Sequence, residues 1–169
     1  MRNFLIVSDI HGDVARLRRV LSAVGNVHGV FFLGDGLREV QALLGTRGAP
    51  PLYAVRGNCD LGIPCEEELV VSLGEHRILL LHGHTAGVKG GEGGLLALAR
   101  RHGADVVLYG HTHVRSERFL GEGEGGPLWL FNPGSLSQPM NSPPSFGTLS
   151  VDDNGALLFS FGSIGEDRL

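Results

Sequence analysis

The sequence contains few cysteines, a single lysine and no long hydrophobic run. Two cysteines in 169 residues, Cys59 and Cys65, are too few for a disulfide framework, and their spacing matches no common zinc motif. The apolar run at the N-terminus is shorter than a signal-peptide core or a membrane span, which predicts a cytoplasmic protein without a membrane partner. A formal net charge of −4 lacks the basic excess of nucleic-acid binders, so no nucleic-acid-binding domain is expected.

The composition that remains is that of an ordinary globular protein. Hydrophobic residues make up 42% of the chain and charged residues 19%. We interpret residues 1–169 as one domain, because no segment is long enough to serve as a linker. Glycine is abundant, with 27 residues, and many of the glycines adjoin Asp or His.

The first sixty residues alternate between short apolar runs and segments with helical periodicity. This β-α-β-α-β pattern predicts a parallel sheet flanked by helices, with Asp13 capping the first helix and Gly25 ending it. Residues 68–83 predict an antiparallel hairpin, and residues 85–94 a mobile glycine-rich loop. A helix, a buried strand and four further strand-like runs follow, with a hairpin loop at 121–126. One mixed sheet, or two stacked sheets with helices outside, accommodates this pattern.

Five of the predicted strands end in Asp, Asn or His, usually beside a glycine. The carboxyl ends of parallel strands meet at one edge of a sheet, so these side chains are predicted to lie together. Glycine lets the backbone turn sharply there and approach an ion or a substrate closely. The residues at these ends are Asp9, His11, Asp35, Asn58, His82, His84, His111 and His113, with Cys59 as a neighbouring sulfur.

Imidazole nitrogens with carboxylate and amide oxygens suit Mn, Fe, Ni, Co or Zn and suit Ca poorly. Even if one of these eight side chains is not a ligand, seven are too many for one tetrahedral zinc, whereas two divalent ions that share a carboxylate fit the number. Two divalent cations are partly neutralised by two aspartates and one bridging hydroxide, which leaves the centre with one net positive charge. A centre of that charge attracts a phosphate ester. The sequence therefore predicts a phosphate-seeking centre with two divalent ions, for which manganese is the first expectation.

The motifs "DIH", "GD", "GNCD", "HGH" and "GHTH" occur in that order, each behind a predicted strand. Together they resemble the signature of the calcineurin-like metallophosphoesterase superfamily. The short length and the segment "NPGSLSQPMNSPPSFGTL" resemble its small prokaryotic YfcE-like phosphodiesterase branch. The resemblance extends from Asp9 to about Leu149, which is nearly the whole chain.

The resemblance implies a fold, a reaction and a ligand set. The fold would be a four-layer α/β sandwich, two stacked mixed β-sheets flanked by α-helices. The reaction would be hydrolysis of a small phosphodiester substrate by a metal-bridging hydroxide. One metal would be held by Asp9, His11 and His113 and the other by Asn58, His82 and His111, with Asp35 bridging both ions. A homo-oligomer is compatible with the sequence, but nothing in it specifies one.

One position departs from the pattern of many relatives. Cys59 stands where their histidine protonates the leaving group, which removes a general acid typically worth about 10²–10⁴-fold in rate. His84 is the nearest substitute, so His84 and Cys59 are the candidate catalytic residues. Activated aryl esters are therefore expected to be cleaved far faster than alkyl esters.

Neighbouring residues receive structural interpretations. Asp60 is expected to brace a loop, and "NPGS", which contains Ser135, to form a turn. His76 and His102 are expected at the surface, and a Cys59–Cys65 redox switch is the less favoured interpretation. Two rival interpretations are less favoured. One is a non-catalytic scaffold like the trafficking-coat subunit that resembles this family but has lost ligands, whereas all seven ligand positions are intact here. The other is a metal-dependent monophosphatase or a nuclease of the larger relatives, but the sequence shows no additional DNA-binding domain and is acidic.

Overall fold

The structure, a computed structural model, describes residues 1–121 and 126–165. The first half of the chain forms three parallel strands joined by two helices, as the sequence predicts. These elements are β1 (Arg2–Val7), α1 (Val14–Val24), β2 (Gly29–Phe32), α2 (Leu37–Leu44) and β3 (Leu52–Ala54). The chain then continues through the predicted hairpin, in which Leu73 and His76 pair across the turn.

The second half contributes a further helix and the remaining strands. They are β4 (Glu68–Leu73), β5 (His76–Leu81), α3 (Gly93–His102), β6 (Val106–Leu108), β7 (Arg115–Leu120), β8 (Leu128–Pro133), β9 (Ser145–Val151) and β10 (Leu157–Ser163). The first sheet has the strand order β10-β9-β1-β2-β3, and the second has the order β4-β5-β6-β8-β7. Both sheets are mixed. In the first, β1, β2 and β3 pair in parallel, whereas β9 pairs antiparallel with β1 and with β10. In the second, β5, β6 and β8 pair in parallel, and the outer strands β4 and β7 pair antiparallel with their neighbours.

Three apolar clusters separate four layers. Successive side chains of a strand point to opposite faces of its sheet. Phe4 and Ile6 of β1 accordingly pack into a cluster shared with β5, β6 and β8 of the other sheet. Leu5 and Val7 pack on the opposite face against α1 and α2. A third cluster joins the outer face of the second sheet to α3. The predicted four-layer sandwich is confirmed.

Helix α1 begins and ends where the sequence predicts. The Asp13 carboxylate accepts a hydrogen bond of 2.9 Å from the Arg16 amide, which satisfies one free N–H of the first turn. Gly25 ends the helix, and its amide donates to the Leu21 carbonyl. The helix covers the outer face of the first sheet and so holds the carboxyl ends of β1 and β2 at one edge.

The glycine-rich segments are only partly loops. Residues Val88–Gly90 form a 3₁₀-helix, and α3 begins at Gly93, inside the segment 85–94 that the sequence predicts as a loop. The predicted hairpin loop at 121–126 lies mostly outside the described residues. No helix within residues 1–121 and 126–165 is both long enough and apolar enough to cross a membrane.

Candidate metal centre

The seven predicted ligands come together at one edge of the two sheets. Unusual backbone conformations mark this edge. Six non-glycine residues in the described part of the chain have positive φ, and five of them are predicted ligands. They are Asp9 (54°), His11 (40°), Asp35 (62°), His111 (67°) and His113 (59°). Such conformations cost energy and concentrate at functional sites, so the fold maintains strain where these side chains turn toward one another.

One group of ligand atoms surrounds Asp9. His113 Nε2 lies 3.0 Å from Asp9 Oδ1, and His11 Nε2 lies 3.8 Å from the same oxygen. The two imidazole nitrogens are 3.5 Å apart. Asp35 Oδ2 completes the group at 3.9 Å from His11 Nε2. Ligands that each lie about 2.1 Å from one octahedral ion are about 3 Å from their neighbours, so this group can hold a divalent cation.

A second group surrounds His82. Its Nε2 atom lies 3.1 Å from Asn58 Oδ1 and 3.2 Å from His111 Nδ1. The same nitrogen lies 3.5 Å from Asp35 Oδ2. One oxygen of Asp35 therefore belongs to both groups, in the position predicted for a bridging carboxylate.

Asp9 is completely buried, and one of its oxygens has no hydrogen-bond partner. Its Oδ2 atom accepts from the Ser8 hydroxyl and from the His111 amide at 3.1 Å. Its Oδ1 atom is buried and accepts no hydrogen bond in the described structure. An unpaired buried carboxylate oxygen is costly unless a cation compensates it. A divalent ion between Oδ1 and the facing histidines would supply that compensation.

Two backbone carbonyls fix the tautomers of the facing histidines. His82 Nδ1 donates to the Leu33 carbonyl at 2.6 Å, and His113 Nδ1 donates to the Gln138 carbonyl at 2.7 Å. In each neutral ring the Nε2 lone pair consequently faces another acceptor, either Asn58 Oδ1 or Asp9 Oδ1. Two acceptors at such distances require a positive charge between them, either a proton or a metal ion.

In the metal-free centre the carboxylates of Asp9 and Asp35 favour the protonated, positively charged form of the histidines nearest to them. Burial lowers the pKa of His82, but the hydrogen bond and charge of Asp35 and the charge of Asp9 outweigh burial and raise it. The Asp9 carboxylate, whose Oδ1 lies 3.0 Å from His113 Nε2, raises the pKa of His113 in spite of its partial burial. Burial, with the positive charges of His82 and Lys89, lowers the pKa of His111 to about 4.

Asp35 stays ionised in spite of its burial. Burial alone would raise the pKa of its carboxyl, but His82 and the Cys59 amide lower it well below its ordinary value. The Cys59 amide donates to Asp35 Oδ1 at 2.8 Å, which leaves Oδ2 directed at both groups. A Cβ added at Gly57 would overlap this carboxylate, so glycine is required at that position of the "GNCD" motif.

Asp60 braces the loops around Asp35, as predicted. It is buried, and it accepts hydrogen bonds of 2.8 to 2.9 Å from four backbone amides. These amides belong to Asp35, Gly36, Leu37 and Gly57. The carboxylate thereby joins the end of β2 to the "GNCD" loop.

The segment after β8 supports the centre in a way that the sequence did not reveal. Asn132 is buried, and its amide donates at 3.0 Å to the Gly110 carbonyl and to Thr112 Oγ1. The Ser135 hydroxyl donates at 2.8 Å to the Asp9 carbonyl. The interpretation of "NPGS" as chiefly a turn was therefore incomplete, because Ser135 also holds the backbone of a predicted ligand.

The two candidate catalytic residues flank the centre. The His84 ring lies 5.4 Å from the His82 ring and 6.1 Å from the His111 ring, and its buried Nδ1 has no partner in the described structure. Burial and the charge of His82 lower the pKa of His84. Cys59 is exposed at the rim, and its sulfur lies within 4.8 Å of ligand atoms of His11 and Asp35. Burial and Asp35 raise the pKa of this thiol to about 11.

Two other histidines, predicted at the surface, are only partly exposed there and make contacts that the sequence did not reveal. His76 is half-buried and contacts Asp105 at 2.5 Å and the Gly155 carbonyl at 2.7 Å. His102 is half-buried and contacts Glu68 at 2.7 Å. Their acidic partners lie about thirty residues away in the chain, so local sequence context did not reveal these contacts.

Comparison with known proteins identifies the family. The sequence model of one family, described as "Calcineurin-like phosphoesterase superfamily domain", matches residues 2–154 of this chain. The chain belongs to the calcineurin-like phosphoesterase superfamily. This family assignment makes the protein a metal-dependent phosphoesterase. Among the side chains described above, Asp9 with His11 and His113, and Asp9 with Asp35 and His82, have ligand atoms close enough together to hold a metal ion.

Individual relatives of this superfamily cover almost the whole chain. The chain is 29% identical over 167 residues to a probable metallophosphoesterase YsnB of Bacillus subtilis, covering 98% of this chain and 94% of the relative. It is 32% identical over 179 residues to the phosphodiesterase YfcE of Escherichia coli, covering 90% and 89%.

Solved structures agree on the fold. A predicted phosphoesterase from Streptococcus pneumoniae superimposes with a TM-score of 0.74 at 30% identity, covering 96% of this chain and 89% of that chain. Vacuolar protein sorting 29 from Cryptosporidium parvum has a TM-score of 0.67 at 21% identity, covering 98% of each chain, and this likeness shows the fold alone. The fold by itself therefore does not separate a phosphoesterase from a protein with another function.

Proposed function

We propose that the protein is a phosphodiesterase that uses two divalent metal ions. One ion is held by Asp9, His11 and His113, and the other by Asn58, His82 and His111, with Asp35 shared between them. Manganese is the first expectation, and Ni, Fe, Co and Zn suit the same nitrogen and oxygen ligands. The observation that carries the proposal is the buried Oδ1 of Asp9, which accepts no hydrogen bond in the described structure and lies 3.0 Å from His113 Nε2.

The charge of the ligand shell calls for at least one divalent cation, and the two ligand groups that share Asp35 Oδ2 support a second. Asp9 and Asp35 are both buried, and their ion-pair partners within residues 1–121 and 126–165 are histidines alone. Neutral histidines leave two buried negative charges uncompensated, which is strongly unfavourable. Two divalent ions exceed that charge and leave a centre that attracts a phosphate anion.

Such ions, when bound, supply a hydroxide nucleophile at neutral pH and stabilise negative charge on the phosphoryl oxygens. The contribution of the protein is to fix the ligands in advance. The Leu33 and Gln138 carbonyls hold the rings of His82 and His113 with Nε2 toward the centre. The Ser8 hydroxyl and the Cys59 amide each bind one carboxylate oxygen, so that the other oxygen of Asp9 and of Asp35 faces the ligands.

The site lacks a strong general acid to protonate the leaving group. Cys59 occupies the place of the acid in many relatives, and its raised pKa of about 11 keeps the thiol protonated but weakly acidic. His84 lies beside both groups, with a buried Nδ1 that has no partner in the described structure. We assign His84 to binding a phosphoryl oxygen through its ring N–H. Hydrolysis is then fastest for esters whose leaving groups need no proton.

Diesters are the proposed substrates because the relative from Escherichia coli is named a phosphodiesterase. The number of charges agrees with this choice, since a diester carries one negative charge and neutralises the one net positive charge of the centre. A small substrate is favoured because the ligands lie at the edge of the sheets among the histidines and glycines of short loops.

The test is a panel of diesters and monoesters with protein reloaded with Mn or Ni. We expect hydrolysis of bis(4-nitrophenyl) phosphate at a higher kcat/KM than 4-nitrophenyl phosphate. Asp35→Asn should lose at least about 10²-fold in kcat, as expected when a shared metal ligand is removed. Asp153→Asn, which changes an exposed aspartate in the β9–β10 turn, is the matched control. Full activity in Asp35→Asn would contradict the proposal, and inactive protein that still binds metal would favour a scaffold.

A further inference from the structure

A depression of about 530 Å³ lies directly beside the candidate metal centre. Its lining combines apolar side chains with three hydroxyl groups and one cation. The lining residues are Val88, Lys89, Tyr109, Thr112, Val114, Ser116 and Met140. The ligand assignment above uses none of them.

The depression is continuous with the centre through the backbone. Thr112 stands between the predicted ligands His111 and His113 in the "GHTH" motif. The Met140 amide donates to the His113 carbonyl at 2.9 Å. On the opposite side, the Val88 amide donates to the carbonyl of Gly83, the residue after His82. A phosphate bound at the centre would therefore place one of its ester groups in this depression.

Lys89 gives the depression a positive charge. It is the only lysine of the chain, and it is exposed on the 3₁₀-helix Val88–Gly90. It lines the same depression as Thr112, the residue between His111 and His113. In the described part of the chain it makes no ion pair, because the nearby Glu92 binds Arg118. This cation is thus available to a ligand.

The apolar lining is also exposed. Met140 is 55% exposed and Val114 37% exposed, and the two line the same depression, so their exposed apolar surface is contiguous rather than scattered. Apolar walls with a few polar groups and one cation are typical of a site for an organic group that carries a negative charge.

We propose that this depression binds one ester group of the substrate, an apolar organic group bearing a second negative charge that Lys89 contacts. The inference rests on the proposed phosphodiesterase function and deepens it by naming the substrate class. A monoanionic diester already neutralises the proposed centre, so the charge of Lys89 is left for a second anionic group on the same substrate.

Two diesters with the same leaving group test this inference. One is 4-nitrophenyl phenyl phosphate, and the other is its 4-carboxyphenyl analogue. The measured quantity is the ratio of kcat/KM for the carboxylated diester to kcat/KM for the plain diester, with metal-loaded protein. We expect Lys89→Gln to lower this ratio about three- to fivefold, the effect of a partly exposed ion pair. Lys89→Arg should retain the ratio, and Arg47→Gln, which removes an exposed charge in the α2–β3 loop, should leave it unchanged.

The apolar lining of the depression is tested by comparing a phenyl diester with a methyl diester. Met140→Ser should lower kcat/KM for the phenyl diester about threefold relative to 4-nitrophenyl methyl phosphate, because the aryl group loses an apolar contact. An unchanged carboxylate ratio in Lys89→Gln, with both diesters hydrolysed by wild type, would overturn the inference and leave the proposed function intact. Absence of hydrolysis of every diester by metal-loaded wild type would instead overturn the proposed function, and this inference with it.

Discussion

Replacing Asn132 with alanine should weaken both the fold and the metal centre. The Asn132 side chain makes three hydrogen bonds in a fully buried position. Its amide donates to the Gly110 carbonyl and to Thr112 Oγ1 at 3.0 Å, and its carbonyl accepts from the Gly134 amide at 2.9 Å. These bonds connect the end of β8 to the loop that carries His111 and His113.

The expected cost follows from those three bonds. Each contributes about 1 kcal/mol net, and alanine also leaves the buried Gly110 carbonyl and Gly134 amide without this partner. We therefore expect the free energy of unfolding of the metal-free protein to fall by about 2–4 kcal/mol. Residues that support metal ligands typically change metal affinity about 10–100-fold, so Mn affinity should fall within that range.

Urea unfolding of metal-free protein measures the first quantity, and equilibrium dialysis against Mn measures the second. Asn154→Ala is the matched control, since it removes the same side chain at an exposed position in the β9–β10 turn. A variant of Asn132 that unfolds with wild-type free energy and binds Mn with wild-type affinity would refute the support that we assign to this residue.

Two further predictions concern pH and the leaving group. Burial lowers the pKa of His76, but Asp105 and the Gly155 carbonyl raise it overall, so its protonated form stabilises the fold. This contribution is complete below the unfolded pKa of about 6.5 and is lost as pH rises through the folded pKa. In urea unfolding, the free energy of unfolding of His76→Gln should therefore fall further below that of wild type at about pH 5.5 than at about pH 9. An equal difference at the two pH values would contradict this prediction. For the leaving group, metal-loaded wild type should cleave aryl diesters at least about 10²-fold faster than alkyl diesters, and Cys59→His should narrow that gap. Equal aryl and alkyl rates in wild type would show that His84 or another acid protonates the alcohol.

The location of the site was predictable from short sequence patterns. Five apolar runs end in Asp, Asn or His, and the carboxyl ends of parallel strands meet at one edge of a sheet. Residues as far apart as Asp9 and His113 therefore lie within contact distance of each other. The layering was not available from these patterns, because hydrophobic runs do not specify which sheet covers which. It came from the family resemblance.

The supporting residues could not be predicted for a different reason. Asn132 and Ser135 act on backbone carbonyls of Gly110 and Asp9, whose positions depend on how the two sheets pack. An asparagine before proline and glycine is an ordinary turn sequence, so nothing local marks it as a brace. The left-handed conformation of Asp9 is equally invisible, since aspartate is found in many other conformations.

The number of metal ions bound per chain tests the central claim most directly. Metal-free protein should be dialysed against Mn and the bound metal counted by mass spectrometry. The account predicts two ions per wild-type chain, one ion in His113→Ala, and two in His28→Ala, which changes an exposed histidine outside the centre. A single ion or none in wild-type protein would contradict the account, as would full occupancy in His113→Ala.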